Sequence, residues 1–74
     1  MASNNIVGIM ISPEQSRAGR ALLGWTQDEL AVASRITKKT IADYERGARA
    51  VRDGTSLALA ATLEAAGVEF IPEG

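Results

Sequence analysis

Thr26-Gln-Asp-Glu-Leu-Ala-Val-Ala-Ser-Arg-Ile-Thr-Lys-Lys-Thr-Ile-Ala-Asp-Tyr-Glu-Arg-Gly47 decides the fold of this chain. Thr26 followed three residues later by Glu29 is a capping box, in which each side chain satisfies the other's orphan amide. Leu30, Ala31 and Ala33 supply a small apolar face, and the helix they predict stops at Ser34-Arg-Ile36. Thr37 is placed to cap a second helix. In that helix Ile41 and Tyr44 turn inward at an i, i+3 spacing, and Gly47 provides a left-handed exit. Only about three residues separate the two helices, the spacing of a helix-turn-helix unit.

The pattern Thr26-Gln-x-Glu-Leu-Ala, then Ile36-Thr-x-x-Thr-Ile, then Glu45-Arg-Gly resembles the phage repressor and Cro-like (XRE-type) helix-turn-helix regulators. Small controller proteins of restriction-modification systems are similar. The likeness runs from about Pro13 to Phe70 and implies an all-α, four-helix domain of lambda-repressor type that lays its second motif helix in the DNA major groove. One position departs from the pattern: Arg35 stands where the family usually has Gly. A left-handed backbone there costs a non-Gly residue about 1 kcal/mol.

The resemblance also implies roles for single residues. Lys38, Lys39 and Asp43, with Thr40 beside them, map to base-reading positions. Lys donates to guanine and Asp accepts from cytosine, so a G·C-containing half-site is expected. Gln27, Thr37, Arg46, Arg49 and Arg52 map to phosphate contacts. Arg20 and Glu45 map to an ion pair that ties the first helix to the recognition helix.

Outside the motif, Ser12-Pro-Glu-Gln15 is a second capping box with Pro in the first turn. The helix it starts should reach Leu23 and exit at Gly24, with Ala18, Ala21, Leu22 and Trp25 facing the core. Trp25, the only Trp, fits core packing better than stacking on a base. The last helix is expected from Ser56 to about Ala66, capped by Thr55 or Asp53. It is apolar nearly all round, so it should be covered on more than one face. One face closes over Leu22 and Leu30, and a second copy of the chain is the expected cover for the other.

Ile6 to Ile11 and Val68 to Ile71 are short β-branched and apolar runs bounded by Pro13 and Pro72, and they read as strands. They are expected to pair with each other, within one chain or across a dimer. The expected dimer surface is thus Leu59, Leu63, Val68, Phe70 and Ile71 together with Ile9 and Ile11. Residues 1–74 read as a single domain with a helical core over 12–66.

Composition narrows the function. The chain has 74 residues and neither Cys nor His. Common zinc sites and thiol or imidazole catalysis are therefore excluded, and no enzyme, metal or other cofactor is expected. A domain this small buries only about 60% of its unfolded surface, so a dimer would help it. No apolar run approaches the ~20 residues of a membrane span, and the expected location is cytoplasmic.

Net charge is −1, but the distribution is uneven. Between Arg35 and Arg52 stand six cations against Asp43 and Glu45, whereas from Asp53 onward there are four acids and no cation. A basic middle and an acidic tail suggest one face for phosphates and another for a different partner. The expectation is a DNA-binding transcriptional regulator, acting as a homodimeric repressor of its own gene on a palindromic operator, with activation as the variant that the acidic tail keeps open. RNA polymerase or another protein is the further partner that the acidic tail allows. The alternative is an antitoxin or antiactivator that uses the same fold to bind a protein.

Overall fold

The computed structural model describes residues 11–47 and 53–71, the side chain of Asp53 excepted. Four α-helices follow one another: α1 (Pro13–Leu23), α2 (Gln27–Ser34), α3 (Lys38–Arg46) and α4 (Asp53–Ala65).

Local chemistry sets the first three. At α1 the Ser12 hydroxyl accepts from the Gln15 amide at 3.1 Å while the Ser12 amide donates to Gln15 Oε1 at 2.8 Å. At α2 Thr26 and Glu29 repeat the exchange at 3.1 and 2.7 Å. At α3 the Thr37 hydroxyl accepts from the Thr40 amide at 3.2 Å. Each cap typically contributes about 1 kcal/mol. Gly24 and Gly47 close α1 and α3 in left-handed conformation, at φ 70 and 68. Arg35 closes α2 in the same conformation, at φ 64.

Leu30, Ile41, Leu59 and Leu63 are fully buried, and Ile11, Tyr44, Ala60 and Val68 complete the core. Leu23, Trp25, Ala31, Ile36 and Phe70 pack around it, half-buried. α2 and α3 rest on each other, α1 lies against α3 and α4, and α4 underlies α2. Gly19 marks the crossing of α1 and α4, because a Cβ there would stand 3.1 Å from Leu63 Cδ1.

The inward face of α1 differs from the sequence expectation. Ser16 and Gly19 are buried, Leu23 is half-buried, and Leu22 is 77% exposed, with Ala18 and Ala21 also outward. The helix is turned this way because Ser16 and Arg20 serve the Glu45 carboxylate of α3. α4 also begins three residues before the expected Ser56, so Asp53 and Thr55 lie inside it.

There is no β-strand among the described residues. Val68 instead serves the exit of α4: its amide donates to the Leu63 carbonyl at 3.0 Å and its side chain is buried. Gly67 enables that turn, at φ 114. Ile11 is held by side chains where a ladder was expected. Its amide donates to Ser56 Oγ at 2.7 Å, and its carbonyl accepts from Ser56 Oγ at 3.0 Å and from the Tyr44 hydroxyl. Residues 6–10 of the other expected strand, Ile9 among them, lie outside the described residues.

Leu59 and Leu63 are corrected as dimer-surface residues. Both have no exposed surface in the single chain, because they form the centre of its own core. Ile11 and Val68 are likewise taken up inside the protomer, whereas Phe70 is half-buried and Ile71 is 76% exposed.

Candidate nucleic-acid interface

α3 divides sharply into two faces. Ile41, Tyr44 and Glu45 are buried; they fix the helix against α1 and α2, and the Tyr44 hydroxyl reaches Ser56 of α4 at 3.4 Å. On the opposite side the Lys39 side chain is 86% exposed and that of Lys38 is 57% exposed. Thr37 is exposed and Thr40 half-exposed, their hydroxyls 3.0 Å apart at the start of the helix.

The exposed charges are paired loosely. Lys38 Nζ lies 3.3 Å from Asp28 in the first turn of α2, and Lys39 Nζ lies 3.3 Å from Asp43 one turn along α3. Arg46 donates to the other oxygen of Asp43. The Arg46 bond, followed by that from Lys39, holds the Asp43 carboxyl below its ordinary value. Exposed pairs of this type contribute at most about 1 kcal/mol, so a phosphate or a base edge can exchange for them at small cost.

Beneath this edge lies a buried polar centre. Glu45 is 2% exposed, and its carboxylate accepts four side-chain bonds. Ser16 donates at 2.6 Å and Arg20 Nε at 3.0 Å to one oxygen, while Arg20 Nη2 at 2.7 Å and Gln27 Nε2 at 3.1 Å donate to the other. Burial pushes the Glu45 carboxyl up, but the bonds from Arg20, Ser16 and Gln27 outweigh it and hold it below its ordinary value. The same contact raises the Arg20 guanidinium, against the effect of burial. Arg20 also donates to the Trp25 carbonyl at 3.1 Å, and Arg17 to the Glu45 carbonyl. One carboxylate thus joins α1, α2 and α3, and sets the direction in which the lysine tip of α3 points.

Of the residues expected at the site, Thr37, Lys38, Lys39, Thr40, Asp43 and Arg46 share one edge of α3 and its cap. Gln27, expected to reach a phosphate through its side-chain amide, is turned inward, and that amide donates to Glu45. Arg49 and Arg52 lie outside the described residues. Sequence reasoning missed Ser16, Arg17 and the side chain of Gln27 as partners of Glu45. The i, i+4 spacing of Ser16 and Arg20 was the available signal, since it puts both on one helix face. It also missed Ser56 and Tyr44 as the clasp on Ile11.

Among the described residues no group of three or more acids is arranged to hold a metal ion, and no helix is long and apolar enough to cross a membrane. No significant match was found among curated protein sequences. A family model described as helix-turn-helix matches residues 17–70, which takes in all four helices but the first turn of α1. With capped helices around a short turn, and the second of them anchored behind and charged in front, the chain belongs to the XRE-type helix-turn-helix family, a family of DNA-binding regulators.

Proposed function

We propose that the chain is a sequence-specific transcriptional repressor that binds a palindromic operator as a homodimer and controls its own gene. The observation that carries this reading is the exposed Lys38–Lys39 tip on a helix whose opposite face is locked by Ile41, Tyr44 and Glu45. A helix so held can enter a major groove without costly ordering of its backbone, while its two ammonium groups find guanine N7 and O6. Asp43, released from Lys39 and Arg46, would accept from cytosine N4. Thr37 and Arg46 would fix the register on phosphates, joined by Arg49 and Arg52.

Apolar surface left on the protomer supports association. Trp25, Ala33, Ala61, Thr62, Ala65 and Ala66 line an open groove of about 440 Å³, and Ile71 is exposed. In a symmetric dimer the two α3 tips would stand about 34 Å apart, one turn of the duplex.

A gel shift with the DNA upstream of the chain's own gene, repeated with Lys38 and Lys39 both changed to Ala, tests this reading. Specific retardation by the wild type that disappears in the double variant supports it. A folded wild type that shifts no duplex and instead captures a protein supports the antitoxin or antiactivator alternative.

A further inference from the structure

All four helices of this chain exit through a residue with positive φ, and only one of the four keeps a side chain there. Gly24, Gly47 and Gly67 have φ 70, 68 and 114, and Arg35 has φ 64; it is the single non-glycine residue with positive φ among those described. Glycine adopts this conformation freely, whereas an L side chain is pressed against its own backbone. Strain retained at one residue, when glycine would remove it, points to a task for the side chain.

The turn itself does not use the guanidinium. It is the Arg35 amide that closes α2, donating to the Ala31 carbonyl at 2.8 Å. The residue is exposed, and no carboxylate among the described residues lies within ion-pair distance of it. Lys38, Lys39 and Arg46 on the neighbouring edge, in contrast, each have an aspartate partner. Arg35 also precedes Thr37, the cap of α3, by only two residues. Two residues span at most about 7 Å. A helix tip lodged in a major groove about 12 Å wide has a phosphate wall on either side. An exposed, long side chain two residues from that tip is within reaching distance of such a wall.

The geometry points to Arg35 as a phosphate anchor at the turn, one that grips the duplex backbone beside the groove that α3 enters. This assignment rests on the reading of α3 as the DNA-entering helix. Arg35 supplies affinity without base preference, since phosphates carry no sequence. A cation at the end of α2 also suits the helix dipole, and the test separates that structural role from the anchor.

Fluorescence anisotropy would follow binding of the full chain to the duplex upstream of its gene and to a scrambled duplex of equal length, across a salt series. For Arg35→Gly the slope of log affinity against log salt should shrink by about 0.9, the share of one phosphate. Between about 1 M and about 0.15 M salt that slope amounts to about a fivefold loss of affinity. The loss should be equal on both duplexes, with a melting temperature no lower than that of the wild type. Arg35→Lys, which keeps a charge on the same strained turn, should recover most of the slope. Unchanged slope and affinity in Arg35→Gly overturn the assignment, and so does a fall in melting temperature that accounts for lost binding. If the wild type binds both duplexes and only the Lys38/Lys39 double variant loses them, the role of Arg35 alone falls. If the folded wild type binds neither duplex, the reading of α3 falls with it.

Discussion

Replacing Glu45 by Ala would remove the one group that α1, α2 and α3 share. Four side-chain donors lose their acceptor at once, and the Arg20 guanidinium, whose side chain is only 18% exposed, is left without a counter-charge. Breaking a buried pair from one side costs about 3–5 kcal/mol. Arg20 keeps some contact with water, which places the expected loss near the lower end, at about 3 kcal/mol. Stability of roughly 0.05–0.15 kcal/mol per residue gives this chain about 4–11 kcal/mol in all, so one substitution removes a large fraction. At 4–8 °C per kcal/mol the melting temperature should drop by about 12–24 °C, read by circular dichroism at the helix band. Combining Arg20→Met with Glu45→Leu should recover much of the loss, because the pair need not be net stabilising. A loss below about 1 kcal/mol in Glu45→Ala, or a double variant no better than the single one, would refute the argument.

The same carboxyl makes stability depend on acid. Glu45 and Asp43 are held below their ordinary values in the folded chain, so the unfolded chain binds protons first as pH falls. Their contribution is complete above about pH 5 and is lost through and below the ordinary carboxyl range near 4; urea midpoints measured from pH 7 to pH 3 should decline there, and less so in the Arg20→Met/Glu45→Leu variant. Gly19→Ala sets a helix-propensity gain of about 1 kcal/mol against a Cβ 3.1 Å from a fully buried Leu63, and should come out destabilising by about 1 kcal/mol in thermal unfolding. Ser56→Ala removes both bonds that Ser56 makes with the Ile11 backbone inside the core, and should cost about 1–3 kcal/mol by urea unfolding.

What the sequence disclosed was mainly local. Capping boxes at Ser12–Gln15 and Thr26–Glu29, and the exits at Gly24 and Gly47, involve residues within one turn of each other, so their spacing alone states the geometry. The partnership of Arg20 with Glu45 joins α1 to α3, 25 residues apart in sequence, and was visible only through family resemblance. The face of α1 was misjudged for a related reason: apolar periodicity pointed to Leu22, but a buried carboxylate on another helix drew Ser16 and Arg20 inward. Val68 to Ile71 has a strand's composition, but Gly67 already marked the exit of α4, where Val68 does contact the last turn; the strand expectation put too much weight on composition beside that local signal. Leu59 and Leu63 could be recognised as buried, but an apolar helix does not declare which of its faces its own domain consumes. The edge of Lys38, Lys39, Thr40 and Asp43 was legible because Ile41 and Tyr44 fix the opposite face by spacing alone.

The most direct measurement is selection of bound duplexes from a randomised pool by the wild-type chain and by the Lys38→Ala/Lys39→Ala variant. The account predicts enrichment of a two-fold symmetric site whose G·C-bearing halves lie one helical turn apart, with the preference at those halves lost in the variant. Failure of the wild type to enrich any sequence, or enrichment of the same site by the variant, would contradict it.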